Sequence, residues 1–336
     1  MTKNIQKFIV ITSIFAPTEA IKKFSKIPEW NIIMVGDKKT PPTWKYKNVT
    51  YLSIKKQEKL GFEILKILPW NHYSRKMIGY LYAIKCGAEI IYDTDDDNIP
   101  LSNWHEPTFE GTYPILDAGG FVNIYSYFTK NKIWPRGFPL QYVATHKHPD
   151  KEPLKTKKKH IGIWQFLANN DPDVDAIYRM TDNTPVVFKK GAPIVLAKKS
   201  ISPINSQNTF FTKEAFPLLY LPAFVTFRFT DILRGLVAQP ILWTKDLHVG
   251  FDTATVVQKR NPHNYLKDFE SEIPVFLYSE TVTAIAGKLS NKKNNFPKNL
   301  LRIYSELEVK EIVTKKELKL LNAWNKDVQR CQDQKK

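Results

Sequence analysis

The stretch from Gly87 to Asn98 constrains this chain more than any other. Ala88-Glu89-Ile90-Ile91-Tyr92 is mostly apolar, and it runs without a break into Asp93-Thr94-Asp95-Asp96-Asp97. Four aspartates in five positions resist burial in an apolar core, and an apolar run resists exposure to water. Both demands are met where a buried strand ends at the rim of a sheet. The residues upstream agree. Ser74 suits an N-cap, and Ile78, Leu81, Tyr82 and Lys85 or Cys86 follow at helical spacing. Gly87 then stands where a left-handed residue closes a helix. In open α/β sheets, ligands bind outside the carboxyl ends of the strands, so the acidic run marks a candidate site.

The flanking segments carry the same rhythm. Phe8 to Ile14 is a continuous apolar, β-branched run of the kind that forms a buried parallel strand. A polar, helix-like stretch covers Thr18 to Lys26. Trp30 to Val35 reads as a second strand, stopped by Gly36-Asp37, and Val49 to Ile54 as a third. Alternating strands and helices predict an α/β fold with a doubly wound sheet. Later segments are less regular. Ile161 to Phe166 is expected to be a strand, and residues 150–160 a charged, exposed loop. Val186-Val187-Phe188 and Ile194-Val195-Leu196 are expected as two short strands. A helix is expected from Asp231. Thr314-Lys-Lys-Glu317 reads as a capping box that opens a C-terminal helix with Leu318, Leu321, Trp324 and Val328 on one face. The 336 residues then divide into an α/β domain over 1–275 and a C-terminal helical extension over 276–336, packed on it.

The net charge of +17 attracts phosphate-bearing partners. The lysines that supply it are scattered, and the densest run is Lys155 to His160. A nucleic-acid surface would interleave arginines and aromatics, so no nucleic-acid partner is expected. The two cysteines, Cys86 and Cys331, form neither a disulfide framework nor a zinc pattern. The first apolar stretch, Phe8 to Phe15, is far shorter than the roughly 20 residues a membrane-spanning helix needs, and no other run reaches that length. The expectation is a soluble, cytoplasmic chain without a transmembrane segment, compatible with peripheral attachment to a membrane.

The acidic run has its own chemistry. Carboxylates packed within a few ångströms raise one another's pKa, and a divalent cation relieves the conflict. Oxygen-only ligands favour Mg²⁺, Mn²⁺ or Ca²⁺ over zinc. An EF-hand is excluded, because Asn98 stands where glycine is needed, Trp104 stands where glutamate is needed, and a strand precedes the run. The run Asp93 to Asp97 is the expected metal and diphosphate site, where Mg²⁺ or Mn²⁺ would take one or two carboxylates and fill its remaining positions with diphosphate oxygens and water. Lys38, Arg75 and Lys76 stand near the strand ends, where cations can contact a nucleotide or its diphosphate.

Several segments in series carry a resemblance. They include Gly36-Asp37-Lys38-Lys39-Thr40-Pro41, Arg75-Lys76-x-x-Gly79-Tyr80-Leu81, Ile91 to Asn98 and Trp134-Pro135-Arg136-Gly137-Phe138-Pro139-Leu140. Asn205-Ser206-Gln207-Asn208-Thr209, Arg228-x-x-Asp231-Ile232-x-Arg234-Gly235 and Gln258-x-Arg260-Asn261-x-His263-Asn264 continue it. Together they resemble the STELLO-type glycosyltransferases and, more distantly, the reversibly glycosylated polypeptides or UDP-arabinopyranose mutases. The resemblance implies a GT-A-like fold with a mixed, mostly parallel sheet flanked by helices. It also implies a nucleotide-sugar donor, of the UDP-sugar kind, with Mn²⁺ or Mg²⁺, and a glycan or other hydroxyl acceptor. Asp95, Asp96 and Asp97 match the mutases' triple aspartate. By the same resemblance Asp231 is the catalytic base, although it or Thr230 could also cap the following helix. His263 is implied as a late metal ligand, and Asp37 and Arg136 as donor contacts. The mutases' Arg-Glu-Gly-Val-Pro segment has no counterpart, so mutase activity does not carry over. The alternatives are a catalytically inactive scaffold for glycan synthesis and, third, a nucleotidyltransferase.

Overall fold

A computed structural model describes residues 6–145, 154–260 and 263–333. The first apolar runs become strands β1 (Lys7–Thr12), β2 (Trp30–Val35) and β3 (Val49–Leu52), and the run before the aspartates becomes β4 (Ile90–Thr94). They lie in the order β3-β2-β1-β4, all parallel. Between them run the short helices α1 (Glu19–Phe24) and α2 (Ile54–Glu58), then α3 (Lys76–Lys85). Helix α3 ends as the sequence predicts. Gly87 has φ +88°, its N–H donates to Ile84 O, and Ala88 N–H reaches back to Ala83 O. That bond pair is a Schellman motif. The start of α3 differs from expectation. Ser74 lies inside a single 3₁₀ turn, Tyr73–Arg75, and its N–H donates to His72 Nδ1 at 3.1 Å.

Beyond β4 the sheet changes character. It continues through β5 (Asn98–Pro100), β6 (Glu110–Leu116), β7 (Thr156–Asn169), β8 (Ile194–Leu196), β9 (Asn208–Thr212) and β10 (Leu247–Gln258). The full order is β3-β2-β1-β4-β9-β7-β6-β8-β10-β5, with β7 also paired to β10. Strands β6, β7, β10 and β8 therefore pair in a ring. The β7–β10 and β6–β8 pairs are parallel, whereas β4–β9, β7–β9, β6–β7, β8–β10 and β5–β10 are antiparallel. The sheet is thus evenly mixed rather than mostly parallel. A parallel pair needs a long crossover, and this half supplies few helices: only α4 (Ala176–Thr181) lies between β7 and β8.

Two local expectations are corrected. Residues 156–160 are not loop but the exposed first part of β7, paired with Glu110–Pro114 of β6. Residues 150–153 lie outside the described residues. Val186–Phe188 is not a strand, and Val186 makes only an isolated bridge to Asn170.

The remaining chain is helical: α5 (Thr230–Leu242), α6 (Tyr265–Leu289), α7 (Phe296–Val309) and α8 (Lys315–Asp333). The expected boundary at 275–276 falls inside α6. Helix α6 packs along α5, and α8 along α3. Leu321, Trp324 and Val328 of α8 share one core with Val10, Ile33 and Met77. The opposite sheet face holds an aromatic cluster of Phe24, Trp30, Tyr92, Trp104 and Phe210. Glu317 is no capping-box partner. Its buried carboxylate accepts from Ala223 N–H, Phe224 N–H and the Tyr220 hydroxyl, tying α8 to a distant loop. Among the described residues, no helix is long and apolar enough to cross a membrane.

Candidate functional site

A cleft of about 350 Å³ opens at the carboxyl ends of β1, β2 and β4. The segments after those strands reach it: Ser13 to Phe15, Gly36-Asp37 and Asp95 to Asp97. Residues preceding α3, β9 and α5, and residues following β10, close its other sides. The parallel half of the sheet therefore places the acidic run where the sequence argument put it.

Beneath the cleft lies a buried ion network. Lys76 Nζ stands 2.9 Å from Asp93 Oδ1, 2.7 Å from Asp95 Oδ1 and 2.9 Å from Thr94 O. Burial alone would lower the Lys76 pKa, but Asp93 and Asp95 outweigh it and raise it. Arg234 of α5 holds the other Asp93 oxygen at 2.9 Å and also donates to Asn205 O and Ser206 Oγ. Lys76 and Asp93, expected to contact the donor, do not line the cleft. They form the support on which Asp95 stands. Lys38 is also off the cleft wall, 5.0 Å from the Trp70 ring centroid.

Three carboxylates of the acidic run, Asp95, Asp96 and Asp97, line the cleft. Burial pushes Asp95 up to about 6, partly opposed by Lys76 and reinforced by Asp97. The Asp95 side chain still keeps 39% of its surface open to the cleft, which tempers that shift. Burial raises Asp96 to about 6 against a short hydrogen bond from Ser13 Oγ. Burial likewise raises Asp97, whose Oδ2 accepts from Gln258 Nε2 at 3.1 Å. Its Oδ1 is buried without a hydrogen-bond partner among the described residues. An orphaned carboxylate oxygen beside two crowded carboxylates fits a divalent cation. Among the described residues, no group of three or more His, Cys, Asp or Glu side chains is placed to hold such an ion unaided. An ion held by Asp95 and Asp97 would thus take its other ligands from a bound phosphate and water, as Mg²⁺ commonly does.

One wall carries Asp37, His72 and Arg75. Asp37 Oδ2 accepts from His72 N–H, and Asp37 Oδ1 from Lys38 N–H. Burial lowers His72 to about 4, so its ring is neutral at physiological pH. Arg75 stacks on Trp70, 3.6 Å from the ring centroid, and donates to Gln57. The opposite wall carries Asp231. Its Oδ1 accepts from both terminal nitrogens of Arg136 at 3.1 Å, from Tyr73 Oη at 3.3 Å and from Ile232 N–H. Its Oδ2 accepts from Arg136 at 3.0 Å and from Ser206 N–H. Burial opposes the charge, yet Arg136 outweighs burial and holds the carboxyl below the usual range. Arg136 is itself clamped by Asp173 at 2.8 Å. The capping role considered for Thr230 or Asp231 is not observed, because α5 starts at Thr230 with no side-chain cap.

His263 reaches the cleft rim, with Nδ1 3.0 Å from Asp268 Oδ2. Asn261 and Pro262, part of the same motif, lie outside the described residues. Ser13, Tyr73, Arg228, Gln258 and Arg260 also line the cleft and were not singled out from the sequence. For the last three the signal was present: each stands within a segment that carries the family resemblance.

These features define an α/β protein with a carboxylate-walled cleft at the ends of its parallel strands. Residues 228–334, which include α5 to α8, match the family model described as STELLO glycosyltransferases. The chain is 28% identical over 344 aligned residues to "Probable glycosyltransferase STELLO1" of Arabidopsis thaliana, covering 96% of this chain and 44% of that relative. It is 29% identical over 343 residues to "Probable glycosyltransferase STELLO2" of the same plant, with the same coverage. The chain is therefore similar to the STELLO-type glycosyltransferases, as its motifs suggested. It spans less than half the length of these curated relatives.

Proposed function

We propose that this chain is a glycosyltransferase of GT-A type that transfers a sugar from a nucleoside-diphosphate donor, of the UDP-sugar kind, to a hydroxyl acceptor with the help of Mn²⁺ or Mg²⁺. The observation that carries the reading is the buried Asp97 Oδ1, without a hydrogen-bond partner among the described residues, beside Asp95 and Asp96 at the carboxyl end of a parallel strand. A bound divalent ion would be held by Asp95 and Asp97 and would supply Lewis-acid neutralisation of the departing diphosphate. Lys76 keeps Asp95 in place and ionised, and Asp96 is fixed by Ser13. Asp37 and the neutral His72 face the nucleoside side of the cleft. Asp231, kept anionic by Arg136, is the carboxylate on the acceptor side. To take the acceptor's proton it must give up one of the hydrogen bonds it now accepts.

The test is calorimetric titration of UDP, with and without Mn²⁺, on the wild type and Asp97→Asn. The expected result is metal-dependent binding in the wild type, with the metal dependence lost in the variant. Metal-independent UDP binding, unchanged in Asp97→Asn, would remove the metal-site assignment. No UDP binding under any metal would remove the donor.

A further inference from the structure

The cleft has an acidic pole, and it also has a cationic one that the donor reading leaves unused. Arg260 follows β10, and its side chain is only 8% exposed although it lines the cleft. Its Nε donates to Asp171 Oδ2 at 2.9 Å. Asp171 is already shared, because its other oxygen pairs with Arg179. Two guanidinium groups thus divide one carboxylate, and of the trio Arg260 is the member that lines the cleft. Neither terminal nitrogen of Arg260 has a hydrogen-bond partner among the described residues, where the side chain bonds through Nε alone. The other arginines of that wall are committed. Arg136 is held by Asp173 and Asp231, and Arg228 by Glu272 at 2.7 Å.

The backbone fixes where this charge stands. Strand β10 pairs with β5 so that Gln258 lies opposite Asn98, and Lys259 N–H donates to Asp97 O at 3.1 Å. Gln258 Nε2 holds Asp97 Oδ2 as well. Arg260 therefore follows directly on the two residues bonded to Asp97, and its charge acts on that carboxylate. A desolvated guanidinium fork with free donors, beside a carboxylate that wants a cation, matches the two halves of a metal–diphosphate unit.

We infer that Arg260 is the diphosphate-binding arginine of this cleft, gripping the non-bridging oxygens of the nucleoside diphosphate with its two terminal nitrogens while Asp171 aims the group through Nε. The inference rests on the proposed donor. It makes Arg260 a residue that holds the leaving group, and makes Asp171 its positioning partner.

Binding of UDP and of uridine, each with Mn²⁺, measured by calorimetry on the wild type, Arg260→Met and Arg260→Lys, tests it. Charge-assisted hydrogen bonds of this kind predict that Arg260→Met weakens UDP roughly 10- to 100-fold. Uridine, which carries no phosphate, should bind the variant as it binds the wild type. Arg260→Lys keeps the charge and loses the fork, so its UDP affinity should fall in between. If Arg260→Met binds UDP like the wild type, the inference is overturned and the donor reading stands. Equal losses for UDP and uridine would also overturn it, by showing that Arg260 only supports the fold. If the wild type binds uridine but gains nothing from the diphosphate, both the inference and the nucleoside-diphosphate donor fall together.

Discussion

At the scale of single residues, the cleft is organised by buried charges whose partners are fixed. The Arg136–Asp231 pair shows what this costs and what it yields. Both side chains are at least nine-tenths buried, and Arg136 also serves Asp173. Removing one member of such a pair strands the other in a poorly solvated place and typically costs about 3–5 kcal/mol. Asp231→Asn should therefore lower stability at neutral pH by an amount of that order, read from urea unfolding. The pH dependence has a definite sign. The folded-state pKa of Asp231 is lowered, so its contribution is present above the ordinary aspartate value of about 3.9 and fades as pH falls through the lowered value. The gap between wild type and Asp231→Asn should be full near pH 7 and should narrow in acid. A gap that stays constant with pH, or widens in acid, would contradict this electrostatic account.

At the scale of elements, the acidic strand end and its helix were legible, because their signals are local. A glycine at a helix end, an apolar run and a cluster of aspartates are all visible within twelve residues. The support under Asp95 was not legible. Asp93 meets Arg234 across 141 positions of sequence, and no spacing rule reaches that far. Lys76 was expected to contact a nucleotide or its diphosphate, yet it is wholly buried. The capping-box pattern at Thr314 misled for the same reason, since Glu317 found stronger partners 93 positions away. The same long-range packing sets the place of α5. A Cβ on Gly235 would stand 2.5 Å from the backbone oxygen of Ile204 and 2.6 Å from its Cγ1. Ile204 leads into Asn205, Ser206 and Gln207 at the cleft rim. A backbone atom cannot swing aside, so Gly235→Ala should force α5 off the sheet, cost roughly 1–3 kcal/mol and weaken UDP binding. Gly287→Ala in α6, where a Cβ meets nothing within 4 Å, should leave binding unchanged and raise stability by up to about 1 kcal/mol. Equal melting temperatures and UDP affinities for the two variants would refute the packing argument.

At the scale of the whole molecule, the C-terminal helices complete the α/β core. Amphipathic spacing made α8 legible, but its destination was not, because a stripe of leucines does not say which surface it covers. In the fold, Trp324 Nε1 donates to Pro217 O, and Asp327 Oδ2 accepts from Ile64 N–H. Glu317 satisfies the N–H groups of Ala223 and Phe224. Ile303, Tyr304, Leu307, Leu320, Leu321 and Trp324 are essentially free of solvent. Fully burying one such side chain is worth about 1.5–3 kcal/mol, so these six contribute on the order of 10 kcal/mol. The net stability of a typical domain is about 5–15 kcal/mol. A chain ending at Leu289 would lose that burial. It would also leave buried backbone N–H groups without partners and expose the underside of α3 and α5. Those helices carry Lys76 and Arg234, the supports of the acidic site. We therefore expect residues 1–289 to show no cooperative thermal transition and to be recovered as aggregate, even though every cleft-lining residue is retained. A cooperative melt of that fragment, with UDP affinity equal to the full chain, would show instead that the last two helices are an appendage.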